Sequence, residues 1–223
     1  KIEKVQKKAQ IGEKDARKRL EILDRYKKVL EEGKSARVVT LEKDELPFVK
    51  DVLLLTNKPI LYVCNVDEQS LKQGNSHIEA VKEAIKDENA EMIIIAASAE
   101  AEIAELDDPD ERMLFLEDLG LKEPGVSKLI KSSYRLLELE TFLTTGPKET
   151  RAWTFKKGTK APQAAGIIHT DFERGFIRAE VIKYEDYIKY GSEQACREAG
   201  KIAIEGKEYV VKDGDVMHFR FNV

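Results

Sequence analysis

Cysteine is scarce: Cys64 and Cys196 are the only two in 223 residues. Two isolated thiols build neither a disulfide framework nor a zinc pattern, and they fit a reducing, cytoplasmic setting. Cys64 lies in an apolar run, where a small thiol packs as a core residue. Long apolar runs are missing too. No stretch approaches the roughly 20 residues that span a bilayer, so no membrane partner is expected. Histidine is limited to His77, His169 and His218, too scattered to make a metal site. A signal-like segment is also lacking after Lys1, which predicts a start inside a longer protein.

What is present describes a soluble, polar globular protein, 42% apolar and 36% charged. Its length allows one large or two small domains. The net charge of −4 is unevenly spread. Residues 1–37 hold 13 Lys/Arg against 7 Asp/Glu, whereas residues 38–143 hold 11 against 23. A basic arm on an acidic body suggests a polyanionic partner such as RNA, met by Lys7, Lys8, Arg17 and Lys18. The alternative is a solvated, Lys-rich helix face.

Residues 1–33 contain no proline and read as helix. Ile2, Val5 and Ala9 share one face, and Ala16, Leu20, Leu23 and Leu30 lie on another or the same one. Gly12 interrupts them, and Gly33 suits the position after a helix end. The expectation over 1–40 is a basic α-helical hairpin turning near Gly12; a single straight coiled-coil helix is the alternative. Residues 41–56 read as a short helix leading into a buried strand around Leu53-Leu54-Leu55, stopped by Lys58-Pro59. A strand at 60–64, an amphipathic helix at 76–88 and a continuous apolar strand at 92–97 follow. Such an apolar strand is the kind that parallel sheets bury on both faces. Residues 100–119 are acidic and helical, with Asp107-Asp108-Pro109-Asp110-Glu111 as a solvated helix start, and 126–139 form another helix. Strand, helix, strand with a loop after each is the doubly wound grammar, here over 41–139.

Near Thr144-Thr145-Gly146-Pro147 the character changes. Short strands at 151–156, 177–182, 209–211 and 216–221, with helices at 161–169 and 192–199, suggest a small α+β unit of β-grasp type over 140–223. Trp153 and Phe155 share one strand face and read as its core. His169-Thr170-Asp171 sits at a helix end, a capping rather than a catalytic setting.

The richest stretch is Asn57 to Glu68, a buried strand delivering Asn65, Val66 and Glu68 at its C-terminal end. In open α/β sheets ligands bind outside that end. An Asn and a carboxylate three positions apart can bracket the edge of a purine base. Guanine sites use Asn-Lys-x-Asp, whose carboxylate accepts from the base N1–H and exocyclic amine. Here Val66 replaces the Lys and Glu68 the Asp. Adenine offers an N6 donor and an N7 acceptor, and one Asn side chain can serve both. Ser98 and Ala99, just after the second strand, would line the pocket through backbone N–H groups. The structural alternative is that Asn65 and Ser98 cap local turns and Glu68 is solvated. Gly33-Lys34-Ser35 imitates the end of a phosphate-binding loop, but the required earlier glycine position is Lys28 and no strand leads into it.

Two segments resemble the YchF (Obg-like) ATPase family. Asn57 to Glu68, Ser98-Ala99-Glu100 and Glu105-Leu106-Asp107-Asp108 are similar to its base-recognition half. Ile168 to Val181 and Asp213 to Phe221 resemble its TGS domain, and the basic hairpin occupies its coiled-coil position. The resemblance implies an α/β plus α+β protein: a hairpin, part of a doubly wound P-loop NTPase sheet, and a β-grasp TGS domain. It implies ATP preferred over GTP, with Asn65 and Glu68 as matching positions, magnesium held by residues outside this chain, and a ribosome or RNA partner. The phosphate-binding half of the family is lacking, so the chain alone is expected to be inactive. The alternative function is a non-catalytic RNA- or ribosome-binding adaptor.

Overall fold

Gly12 takes φ +99°, a conformation that side chains with a Cβ avoid, and the chain turns there. The structure, a computed structural model, describes residues 1–88, 90–146 and 149–222. Helices α1 (Ile2–Gln10) and α2 (Lys14–Glu31) flank the turn. Val5 and Ala9 of the first helix pack with Ala16 and Leu23 of the second, so the apolar positions fall on one seam. A second face of α2 buries Ile22 and Tyr26 against Ala36 and Val49. The hairpin is thereby joined to the segment that follows it, in one compact unit spanning Lys1–Ser133.

That segment departs from expectation. It holds one short helix, α3 (Leu46–Val49), and 3₁₀ turns at Ala36–Val38 and Leu55–Asn57, but no strand at 53–55. Leu53 and Leu55 are 91% and 77% exposed. Leu54 alone of the three turns inward, toward the cluster around Tyr26.

Strand β1 (Leu61–Asn65) leads to helices α4 (Glu68–Gln73) and α5 (Ser76–Ile85), and β2 (Glu91–Ile95) to α6 (Ala97–Ala104), α7 (Pro109–Asp118) and α8 (Gly125–Leu136). The two strands pair in parallel, Leu61 opposite Glu91 through Asn65 opposite Ile95. Neither contains a buried residue, contrary to the two-sided burial expected for the apolar strand. A two-stranded sheet has an edge on every strand and cannot cover both faces. The acidic stretch after β2 is two helices, because Asp108 accepts from the Asp110 N–H and Pro109 occupies the first helical position.

The second unit, Tyr134–Val223, holds a five-stranded sheet. Its strands are β3 (Leu139–Thr145), β4 (Thr150–Lys156), β5 (Phe176–Lys183), β6 (Ala203–Glu205) and β7 (Asp215–Phe221), in the order β4-β3-β7-β5-β6. The central β3–β7 pair is parallel and the others antiparallel. Between β4 and β5 lie α9 (Ala161–Ile168) and α10 (Thr170–Arg174); α11 (Tyr184–Tyr190) and α12 (Glu193–Glu198) follow β5. Pro147, part of the compositional boundary, lies outside the described residues. Strand β3 begins where the reading placed the end of a helix, because Glu138 takes φ 53° and breaks the helical run. Helix α11 and strand β6 were not anticipated, and the stretch at 209–211 supplies only the bridge Lys160–Val210.

Ala161, Ala164 and Ala165 of α9 let that helix settle close to Phe142, Phe155, Phe219 and Met217. Phe142 is fully buried, with Phe219 edge-on at 5.8 Å and Phe155 tilted at 5.8 Å. Two carboxylates are buried with partners. Asp215 accepts from Lys183 Nζ at 2.5 Å, Tyr209 Oη at 2.6 Å and the Lys212 N–H at 2.9 Å. Glu180 accepts from Arg220 Nε at 3.0 Å and Arg197 Nη2 at 3.1 Å. The Arg220 hydrogen bond foremost, with that of Arg197, overcomes desolvation and holds the Glu180 carboxyl below the usual glutamate range.

Phe142→Ala is expected to destabilise the second unit by about 3–5 kcal/mol through the cavity it leaves, read in urea unfolding. Glu180 also sets a pH dependence. Its folded carboxyl is more acidic than the unfolded one, so its stabilisation is complete above the ordinary value near 4.5 and drains as pH falls through the folded value. Glu180→Gln should flatten the acid limb of a stability-versus-pH curve; an unchanged limb would contradict this.

Candidate functional site

The parallel register brings the C-terminal ends of β1 and β2 to the same level. Asn65 is the last residue of β1, and its Oδ1 accepts from the Ala97 N–H at 3.0 Å. Ala97 opens α6, whose own N-cap, Ala96, has no polar side chain. The cap is therefore supplied across the sheet. An N–H can only meet an acceptor, so the amide is oriented with Oδ1 toward the helix. A second lone pair on that oxygen and the Nδ2 donors remain for another group. The adjacent Val66 N–H donates to Ile95 O at 2.9 Å and prolongs the ladder by one step.

Asp67 caps α4, accepting from the Ser70 N–H at 2.6 Å, and that bond lowers its carboxyl below the usual range. Glu68, the first residue of α4, is exposed. Of the two neighbouring carboxylates, the one three positions from Asn65 is thus not the one used as a cap. Ser98 and Ala99 are the second and third residues of α6, Ser98 exposed and Ala99 buried. Their amides belong to a first helical turn, which has no intrahelical acceptors and carries the positive end of the helix dipole.

Two cavities flank α6. One of about 330 Å³ is lined by Glu68, Ala99, Glu102, Ile103, Leu106, Phe115, Asp118 and Leu119. Glu68 and Ala99 are brought together on its wall; Asn65, Val66 and Ser98 are not among its lining. A larger, mostly apolar cavity of about 460 Å³ includes Ile95, Ala97, Glu100, Arg112 and Gly125. There Glu100 Oε2 accepts from the Gly125 N–H at 2.5 Å, capping α8. A Cβ at Gly125 would lie 2.8 Å from Ile95 Cγ2 and closer still to the Glu100 carboxylate, so only glycine admits this approach.

A second constellation escaped the sequence reading. Glu88 accepts from Ser35 Oγ at 2.9 Å, Arg37 Nη1 at 2.9 Å and Tyr62 Oη at 3.1 Å. Arg37 Nε also donates to Lys58 O at 3.2 Å. Burial alone would raise the Glu88 carboxyl, but the bonds from Ser35, Arg37 and Tyr62 outweigh it and hold it below the usual range. The node joins the exit of the hairpin to the strand that ends at Asn65. No local pattern signals it, because its members are about fifty residues apart. It also gives Ser35 of the Gly33-Lys34-Ser35 run a structural partner, while Lys34 pairs with Glu32 at 3.0 Å.

On the hairpin, Lys7 and Lys8 are exposed in the last turn of α1. Arg17 is exposed and reaches Ala9 O at 3.4 Å. Lys18 is engaged within the unit. It pairs with Asp44, which raises its ammonium and lowers the Asp44 carboxyl, and it lies 5.5 Å over the Phe48 ring.

The family model YchF-GTPase_C, described as a protein of unknown function (DUF933), matches residues 139–222. The chain is 50% identical over 222 residues to the ribosome-binding ATPase YchF of Haemophilus ducreyi and 52% identical over 224 residues to that of Bacillus subtilis. Each match covers 100% of this chain and 61% of the relative. The solved structure of the Schizosaccharomyces pombe YchF GTPase superposes with a TM-score of 0.79 at 34% identity, over 92% of this chain and 55% of that one. This chain belongs to the YchF family. It spans about three fifths of the length of those curated YchF relatives. The mixed α/β architecture with helices and two sheets is that of the solved YchF structure.

Glu88→Gln removes the anion from a half-buried cluster of this YchF-family chain and is expected to cost about 1–3 kcal/mol. Asn65→Ala should cost about 1 kcal/mol through the lost cap on α6. Urea unfolding monitored by far-UV circular dichroism reads both; wild-type midpoints would contradict the two assignments.

Proposed function

We propose that the chain carries base recognition and ribosome docking for a YchF-type ATPase that prefers ATP to GTP. The observation that carries the reading is the Asn65 amide at the shared end of two parallel strands. Its free Nδ2 donors suit adenine N7, and the second lone pair of Oδ1 suits the N6 amine. Val66 follows it in place of the lysine of guanine sites, and exposed Glu68 stands where a displaced carboxylate no longer rewards the guanine N1–H. The Ser98 and Ala99 amides at the start of α6 would border the base.

Hydrolysis needs phosphates cradled by backbone amides, a magnesium ion and a positioned water. The sequence contains no Gly-x-x-x-x-Gly-Lys-Ser/Thr run. Among the described residues, no three His, Cys, Asp or Glu side chains are grouped to hold a metal ion, so no magnesium ligand is assigned here. We therefore assign phosphate and magnesium binding to family sequence beyond this chain, and expect the chain alone to turn over no ATP. In this reading residues 1–40 form a basic coiled-coil hairpin, 41–139 part of the nucleotide-binding domain, and 140–223 a β-grasp TGS domain. The site of action is the cytoplasm, on the ribosome or its RNA. Exposed Lys7, Lys8 and Arg17 favour docking through the hairpin; if docking alone operates, the chain is an adaptor.

Calorimetry on the full-length family protein tests the base reading. ATP should bind more tightly than GTP, and Asn65→Ala should weaken ATP by about 1–3 kcal/mol; equal affinities for the two nucleotides would refute it. Ribosome or RNA binding should fall steeply with salt and on charge reversal of Lys7, Lys8 and Arg17. A flat salt response would remove the hairpin from the interface.

A further inference from the structure

The sheet of the second unit carries an unbalanced set of cations. In the antiparallel pairing of β5 and β7, Arg178 lies directly opposite Arg220, and Glu180 directly opposite His218. Directly opposed residues share a face with Cβ atoms about 4.5–5.5 Å apart, and like charges there repel. Arg197 reaches the same spot from α12. Glu180 lies at the centre, with a side chain only 6% exposed.

The carboxylates do not match the guanidiniums. Arg220 donates to Glu180 at 3.0 Å. Arg197 is shared between Glu180 at 3.1 Å and Glu193 at 2.9 Å. Arg178 comes only within 3.8 Å of the Glu180 carboxylate, an ion pair without a hydrogen bond, and its side chain is 52% exposed. Neutralising a buried Glu180 needs one guanidinium, and Glu193 answers a second. Arg178 is the surplus: a fork of donors opposite another arginine, on an open sheet face beside exposed His218.

We infer that Arg178, with Arg220 opposite, forms a docking point for a phosphate of an RNA backbone. The inference rests on the ribosome-docking reading and adds a contact in the second unit that the hairpin does not provide. A phosphate carries oxygens enough to bond two guanidiniums at once, with the planar, charge-assisted geometry that arginine favours. An anion seated there relieves the repulsion between the opposed arginines. A flat face bearing guanidinium and imidazole planes also suits unstacked RNA bases, which stack on such groups.

The test measures binding of a fluorescently labelled single-stranded RNA to the whole chain across a salt series. Arg178→Gln should weaken binding about fivefold to tenfold and reduce the slope of log affinity against log salt by about one. Arg178→Lys should restore the slope, since salt dependence counts charges, whereas a purely structural role for Arg178 would leave the slope unmoved. Glu180 keeps Arg220 and Arg197 in these variants, so folding should persist, checked by near-UV circular dichroism. Wild-type affinity and slope in Arg178→Gln overturn the inference. If reversing Lys7, Lys8 and Arg17 abolishes binding while Arg178→Gln does not affect it, the docking reading stands and this site falls. If neither change matters, the docking reading itself fails. Inorganic phosphate or polyglutamate competing as well as unlabelled RNA would reassign the site to a free anion or an acidic protein, and overturn the RNA commitment.

Discussion

Parallel pairing of β1 and β2 is the constraint on which the rest of the first unit depends. Because Asn65 pairs with Ile95, both strands release their chains at one level. The helices that follow, α4 and α6, therefore begin at the same end of the sheet. The Asn65 side chain closes this arrangement by capping α6 from the neighbouring strand. One amide thus holds two elements together and presents its remaining donors at the place where open α/β sheets bind ligands. A side chain oriented by one bond before a ligand arrives loses less freedom on binding, which favours affinity.

The same unit connects that end to the hairpin by a polar route. Glu88 gathers Ser35, Arg37 and Tyr62, so the segment leaving α2 is tied to the strand that terminates at Asn65. The apolar contribution is separate: Ile22 and Tyr26 of α2 bury against Ala36 and Val49. The hairpin is consequently an integrated part of its unit, while its far turn, with Lys7 and Lys8 exposed nearby, stays open to solvent.

The second unit is built on different terms. Phe142 lies at the middle of an aromatic cluster, and the small side chains of α9 let a helix approach it. The charges buried there are each supported, Asp215 by Lys183, Tyr209 and a backbone N–H, Glu180 by two arginines. A buried carboxylate so provided for is costly to disturb from one side only. The opposed arginines around Glu180 fall outside that balance.

Periodicity and turn chemistry made the hairpin, β1, β2, α5, α9 and β7 legible, since each carries a strong local pattern. The Asn65-to-Glu68 spacing and the two long C-terminal matches pointed to the YchF family before any coordinates. Local pattern failed where tertiary burial decides. Leu53-Leu54-Leu55 reads as strand by composition, yet two of the three face solvent. Strand β3 was hidden behind a helix whose end depends on Glu138 taking φ 53°. The sequence by itself determined the kinds of element, the family, and which residue types meet a base or a polyanion. Only the tertiary structure decided that Asn65 caps α6, that Glu88 joins segments fifty residues apart, that Lys18 is engaged with Asp44, and that Arg178 opposes Arg220. Hydrogen bonds and ion pairs act over a few ångströms, and spacing along a chain does not report which distant groups folding brings that close.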